Sequence, residues 1–159
     1  MMEHMSFRTD ISGIGQILLN QKDCNRGRKL MEWEKLETQS DIDKLMQLIN
    51  NFHDSCIKGL TYSSGTYVDE EYSMIMNTEP VVNLWIQRQS EFMTNIELCL
   101  RGVSKFHINN DLNLTLNILD VHFTKQEDDF YWYSSEDIED ETVTSFVCKE
   151  IKWRSNSSY

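Results

Sequence analysis

The residues best suited to chemistry lie at one junction, where His53, Asp54 and Cys56 follow an amphipathic segment. A histidine with a carboxylate can bind a metal or move a proton, and a cysteine beside a histidine can act as a nucleophile. In an extended backbone, however, neighbouring side chains point to opposite faces, so we expect His53 and Asp54 not to contact each other. A separation of three residues along a strand does not bring the Cys56 thiol to His53 either. We therefore favour a structural corner over a catalytic site.

Histidines elsewhere in the chain could extend this junction into a metal site only across strands. His122 would share a face with Asp120 in a regular strand, and His107 lies on an earlier segment. No local ligand spacing such as H-E-x-x-H supports such a site. We predict no metal and no cofactor. A small-ligand or metal-binding module centred on His53 and Asp54 is kept as an alternative, with the candidate residues His53, Asp54, His107, Asp120 and His122.

Signatures of the common enzyme classes are absent from the sequence. There is no G-x-S-x-G elbow, no P-loop, and no third glycine after Gly13 and Gly15. The four cysteines form no C-x-x-C pair, which favours reduced thiols in a cytoplasmic protein. We predict that the protein is not an enzyme.

Acidic residues dominate the stretch 127–141, which has eight carboxylates and no lysine or arginine. The aromatic run 130–133 lies within it. Acidic and aromatic side chains together can dock a basic protein, although a solvated loop is the plainer interpretation. The predicted partner-binding residues are Asp128, Asp129, Tyr131, Trp132, Tyr133, Asp137 and Asp140.

The overall charge narrows the class of partner. A net charge of −11 argues against binding to nucleic acid, which needs clustered lysine and arginine. No apolar run reaches about 18 residues, so we expect no membrane association. A basic protein partner and a homo-oligomer, formed through edge strands, both remain open.

The balance of basic and acidic residues changes at Met31. Residues 1–30 carry five basic and three acidic side chains, whereas the rest carries 10 basic and 23 acidic ones. The residues Arg26-Gly27-Arg28 can be encoded by a purine run like a ribosome-binding site. We suggest that residues 1–30 are an extension outside the natural protein, and that 31–159 form a single β-rich domain. A genuine N-terminal arm that packs on the domain is the competing interpretation.

Hydrophobic periodicity predicts one helix followed by strands. Apolar residues recur at helical spacing over 41–51, with Ser40 as the N-cap. Alternation then predicts six to eight strands, with a bend at Gly102 and a hairpin turn at Asp128-Asp129. The predicted fold is α+β and mostly β, an antiparallel β-sandwich or strongly curved sheet with one N-terminal amphipathic helix. The main strand segments are 56–62, 82–87, 96–101, 112–118, 119–123, 130–133 and 142–154.

Several runs resemble an uncharacterised family of small proteins from Gram-positive bacteria. They are MEWEKLE at 31–37, FHDSCIKGLTYSSGTYVDE at 52–70, IQRQ at 86–89, IELCLRGV at 96–103 and IKWR at 151–154. Members of that family begin near MEWEK, so the resemblance implies a start at Met31. The FHD run is also similar to a helix-to-strand corner in some immunity proteins of bacterial toxin systems, which precedes a mostly β domain. Neither resemblance implies catalytic residues.

These observations lead to one principal expectation. We predict a non-enzymatic protein-binding module, immunity-like in role, that docks a basic partner through acidic and aromatic surface. The small-ligand or metal-binding module and a self-associating domain are the alternatives.

Overall fold

The computed structural model describes residues 32–76, 79–108, 117–135 and 143–156. In these ranges the chain forms one α-helix, one 3-10 turn and twelve strands, and every strand pair is antiparallel. The predicted mostly β, antiparallel architecture with a single helix is confirmed. Its finer form, a β-sandwich or a strongly curved sheet, stays a prediction. No helix in the described ranges is long and apolar enough to cross a membrane.

The strands form two sheets and a separate two-stranded ribbon. The elements are β1 (Glu34–Leu36), α1 (Gln39–Leu48), the 3-10 turn (Asn50–Phe52), β2 (Ser55–Ser63), β3 (Tyr67–Val68), β4 (Met74–Ile75), β5 (Val81–Arg88), β6 (Asn95–Arg101), β7 (Lys105–His107), β8 (Asn117–Ile118), β9 (His122–Gln126), β10 (Asp129–Tyr133), β11 (Ser145–Cys148) and β12 (Glu150–Asn156). The six-stranded sheet has the order β1-β12-β6-β5-β2-β8, the four-stranded sheet has the order β7-β11-β10-β9, and β3 pairs only with β4.

Helix α1 begins two residues earlier than the sequence pattern predicts. Its N-cap is Thr38, not Ser40, because Thr38 and Asp41 form a reciprocal capping box. The Asp41 carboxylate accepts hydrogen bonds from the Thr38 amide at 2.9 Å and the Thr38 hydroxyl at 2.8 Å. The Asp41 amide in turn donates to Thr38 Oγ1 at 3.3 Å. These bonds satisfy backbone donors that the first turn of a helix leaves unpaired.

A strained corner connects the helix to β2. Asn50, Asn51, Phe52 and Asp54 all have φ between 52° and 58°, in the left-handed region. That conformation costs an L-residue roughly 1–2 kcal/mol, and a phenylalanine gains no local hydrogen bond from it. Phe52 is fully buried and meets Trp132 edge-on, with ring centroids 6.2 Å apart. Burial of its ring stabilises the fold by roughly 1.5–3 kcal/mol, which offsets the cost of this conformation at Phe52.

A single hydrophobic cluster contains residues of both sheets and of the helix. Alternate residues of β5 and β6 face it, so the period-2 pattern of these strands places their leucine and isoleucine side chains in the core. From the four-stranded sheet, Trp132 stacks on Phe146 with the rings 5.1 Å apart and nearly parallel. Ile42 and Leu45 of the helix belong to the same cluster. The helix is therefore held by tertiary packing as well as by its cap.

The chain passes between the two sheets at Gly102 and Lys149. The predicted single closing strand over 142–154 is wrong: it is divided at Lys149 into β11 and β12, which belong to different sheets. Strands β6 and β7 are divided in the same way at Gly102, so the predicted bend there is confirmed. The Lys149 amide donates to the Arg101 carbonyl at 3.0 Å and keeps the two bends together.

The hairpin between β9 and β10 lies one residue from its predicted place. Its turn is at Glu127 and Asp128, with Glu127 at φ 51°, whereas Asp129 is already in β10 opposite Gln126. The predicted change of phase at Ile118-Leu119 corresponds to the break between β8 and β9. Most of the strand predicted over 112–118, like the N-terminal extension, lies outside the described residues.

Replacement of Gly102 by alanine should destabilise the fold by about 1–3 kcal/mol in urea unfolding. Gly102 has φ +60°, and an added Cβ would lie 3.0 Å from Cβ and Cγ of Lys149. The matched control is Gly59→Ala in β2, where the nearest atom, on Trp85, would be 3.9 Å away. Equal free energies of unfolding for the two variants would contradict this account of the bend.

The capping box also predicts a pH dependence. Hydrogen bonds from the Thr38 side chain and backbone, and then from the Glu37 backbone, lower the pKa of Asp41 below its ordinary value of 3.8. The unfolded chain therefore takes up this proton at a higher pH than the folded one. The stabilisation is present above about pH 5 and is lost as the pH falls through the folded pKa. We expect the free energy of unfolding of Asp41→Asn to depend less on pH in the acidic range than that of the unmodified chain. An unchanged pH dependence would contradict the role of Asp41 in the capping box.

Candidate interaction surface

His53 and Asp54 contact each other, so the prediction that they cannot is wrong. His53 Nδ1 lies 3.1 Å from Asp54 Oδ2. The reason is local: both residues lie in the turn before β2, and Asp54 has φ 55° instead of an extended conformation. Both side chains are about half exposed. The pair forms a charged contact only when His53 is protonated.

A shallow cavity of about 400 Å³ adjoins this corner where β2, β5 and β8 meet. Cys56 lies opposite Gln87 on one neighbouring strand and opposite Asn117 on the other. The lining includes three side-chain amides, which can hydrogen-bond to a small polar molecule. It comprises Asp54, Ser55, Cys56, Gln87, Arg88, Gln89, Asn117, Ile118 and Leu119.

The other predicted metal ligands do not converge on the corner. His107 and His122 lie in one register row, at opposite edges of the four-stranded sheet. Three strand spacings separate them, or roughly 14 Å. Asp120 precedes β9, so it does not share a strand face with His122 as assumed. Among the described residues, no group of three or more histidine, cysteine or carboxylate side chains is placed to hold a metal.

Arg88, which the sequence reasoning did not single out, is a buried cation at the end of β5. Its Nη1 donates to the carbonyls of Phe92 at 3.0 Å and Met93 at 3.3 Å. Its side chain is only 7% exposed, and this burial lowers its pKa. The guanidinium thereby orders the loop between β5 and β6. Its position at the end of an alternating strand, in phase with buried residues, is the sequence signal for this role.

The structure describes the predicted acidic and aromatic surface at 127–141 as far as residue 135, and in this part Asp129 and Trp132 are engaged within the fold. Trp132 is 0% exposed and belongs to the core, contrary to its prediction as a surface anchor, because the alternation of β10 turns it inward. Tyr131 and Tyr133 are half-buried. Asp129 lies 2.9 Å from Lys149 Nζ, and this ion pair raises the pKa of Lys149. Asp128 is exposed, whereas Asp137 and Asp140 lie outside the described residues.

Exposed apolar side chains are instead concentrated in residues 67–76, which we term the acidic ribbon. It consists of β3, β4 and the turn between them, and it carries Asp69, Glu70 and Glu71. No lysine, arginine or histidine occurs between Gly59 and Gln87. The exposed fractions are 59% for Tyr67, 59% for Val68, 91% for Tyr72, 68% for Met74 and 71% for Met76.

Asp69 fixes the turn of the acidic ribbon. Its Oδ1 accepts hydrogen bonds from the amides of Glu71 at 3.0 Å and Ser73 at 2.9 Å. The Tyr72 amide donates to the Asp69 carbonyl at 3.1 Å, and the Asp69 amide donates to the Ser73 carbonyl at 3.0 Å. Tyr72 has φ 62° in this turn. The most exposed aromatic side chain of the described residues is thus held on an ordered backbone.

Comparison of the chain with protein-family models, with curated proteins and with solved structures finds no match. The resemblances to the small-protein family and to immunity proteins therefore stay predictions.

Replacement of Trp132 and of Trp85 by leucine should lower the free energy of unfolding by different amounts, because only Trp132 lies in the core. We expect Trp132→Leu to lower the free energy of unfolding by about 2–4 kcal/mol, because the Phe52 and Phe146 rings lose their packing partner. The control Trp85→Leu removes a ring that is 37% exposed and should cost less than about 1 kcal/mol. Similar losses in urea unfolding of the two variants would contradict the assignment of Trp132 to the core.

Proposed function

We propose that this protein is a non-enzymatic protein-binding module that docks a basic partner through acidic and aromatic surface. The observation that carries the proposal is the acidic ribbon, where exposed tyrosine and methionine side chains lie directly beside a run of three carboxylates. Monomeric proteins rarely leave contiguous large apolar side chains in water without an interaction that covers them.

The types of exposed residue suit protein recognition. Tyrosine supplies a large apolar surface with a polar tip, and it is enriched among the residues that dominate binding energy. Met74 and Met76 have flexible, polarisable side chains that adapt to irregular surfaces. Neither residue type is arranged here around a catalytic group, because the His53–Asp54 pair lies in a different segment, at the corner before β2.

Charge favours a basic partner. The acidic ribbon has no cation of its own, and the whole chain carries a net charge of −11. Carboxylates at the edge of an apolar contact steer a basic protein toward it and repel acidic ones. The similarity of the FHD run to immunity proteins implies a particular form of this function. It is an immunity-like role, in which the chain holds one basic protein.

The cavity beside Asp54 supports a second candidate function, a small-ligand module at the His53–Asp54 corner. A polar molecule there would meet the Asp54 carboxylate and the side chains of Gln87, Gln89 and Asn117. The separation of His107 and His122 removes the convergent histidines that a metal site would need.

Charge reversal tests the proposed function. The full chain is immobilised, exposed to lysate of its own host, and washed at low and then high salt. We expect a basic protein to be retained at low salt and released at high salt, because salt screens surface charge. The double variant Glu70→Lys/Glu71→Lys should weaken binding of that protein by about 10- to 100-fold.

The matched control is Glu127→Lys/Asp128→Lys, which changes the net charge equally in the turn between β9 and β10. Its binding should stay within about threefold of the unmodified chain. Unchanged binding after both double reversals would contradict docking through acidic surface, as would retention that is insensitive to salt.

A further inference from the structure

We infer that Tyr72 is the anchor by which the acidic ribbon enters a concave, basic-rimmed pocket of its partner. This inference rests on the proposed function and adds the binding residue, the residue that positions it and the shape of the partner's site. It follows from three properties of the ribbon: the exposure of Tyr72, the order of its turn and the charge around it.

Tyr72 is the most exposed of the large apolar side chains in the described part of the chain. Its side chain is 91% accessible at the turn, whereas the tyrosines of β10 are half-buried. The strands of the ribbon pair with neither of the two larger sheets, and Tyr72 projects from the turn with almost all of its surface accessible. A projecting aromatic side chain complements a pocket with apolar walls and a polar group for the phenolic hydroxyl.

Asp69 positions the anchor before binding. Its carboxylate bonds two amides of the turn, at Glu71 and Ser73, on either side of Tyr72. A turn that is already ordered loses little conformational entropy on association, so binding energy from the ring is not spent on ordering the backbone. Asparagine at this position would keep an acceptor oxygen for the two amides but remove the negative charge. Asp69→Asn therefore separates the effect of Asp69 on the turn from its effect on charge.

Charge defines the rim of the partner's pocket. Glu70 and Glu71 immediately precede Tyr72, and both are exposed. Lysine or arginine side chains around the pocket would pair with them as the ring enters, whereas an acidic rim would repel them. The partner is therefore a protein with an apolar depression surrounded by cations.

A site-specific photo-cross-linker tests the contact directly. p-Benzoylphenylalanine replaces Tyr72 in the full chain, and the cells of the host are irradiated. We expect a cross-link to one basic protein, at a site flanked by lysine or arginine, that disappears when Glu70→Lys/Glu71→Lys is added. The control position is Phe92, which is 59% exposed in the loop between β5 and β6 and should give no cross-link to that protein.

The purified cross-linked protein then serves as the probe for affinity. We expect Tyr72→Ala to weaken binding by about 30- to 1,000-fold, the range of a dominant interface residue. Asp69→Ala should weaken it by about tenfold, and Asp69→Asn should restore it to within about threefold of the unmodified chain. All three variants should unfold at the same urea concentration as the unmodified chain, because these side chains lie outside the core.

The outcomes distinguish the two proposals. If Tyr72→Ala binds normally and Glu127→Lys/Asp128→Lys does not, the inference is overturned while the proposed function stands. Failure of the unmodified chain to bind any basic protein overturns both. A cross-link from position 72 to a second copy of this chain would assign the ribbon to self-association and also overturn the inference.

Discussion

The packing of three aromatic rings determines how the rest of this chain is arranged. Phe52 meets Trp132 edge-on, and Trp132 stacks on Phe146. Phe52 comes from the corner that precedes β2 of the six-stranded sheet, whereas the other two rings belong to adjacent strands of the four-stranded sheet. The contact therefore joins the two sheets. It also stabilises the left-handed backbone of Phe52, a conformation that a phenylalanine alone would not favour.

The bends at Gly102 and Lys149 complement this contact. They let one long antiparallel pair, β6 with β12 and then β7 with β11, contribute strands to both sheets. The two sheets are thus connected in two ways. Side chains pack between them in the core, and the backbone runs from one sheet to the other at Gly102 and at Lys149. The acidic ribbon belongs to neither of these sheets, and its large apolar side chains are exposed.

The sequence predicts the elements that depend on local periodicity. The helix, the strands β5, β6 and β10 and the bend at Gly102 follow from the spacing of apolar residues and from a glycine late in an apolar run. The N-cap is misplaced because Thr38 and Ser40 are both good caps, each with an aspartate three residues on, and the chain uses the Thr38–Asp41 capping box. The division of 142–154 at Lys149 is missed because Val147, Ile151 and Trp153 share one phase in the sequence, whereas in the structure the core-facing residues change from Phe146 and Cys148 to Ile151 and Trp153.

The interaction surface is harder to predict, because acidic and aromatic composition does not show which side chains point outward. In 130–133 the alternation of a half-buried strand takes Trp132 inward, so the densest aromatic run supplies the core. In 67–76 the strands are only two residues long and belong to neither large sheet, so Tyr67, Val68, Met74 and Met76 stay exposed. The contact between His53 and Asp54 was missed for a related reason, since it depends on a left-handed Asp54.

The central claim is that the acidic ribbon is the surface that a basic partner covers. Amide hydrogen exchange of the full chain, with and without the bound partner, measures this most directly. The account predicts slower exchange confined mainly to the amides of residues 67–76 in the complex. Protection centred on 127–133, with unchanged exchange in the ribbon, would contradict it.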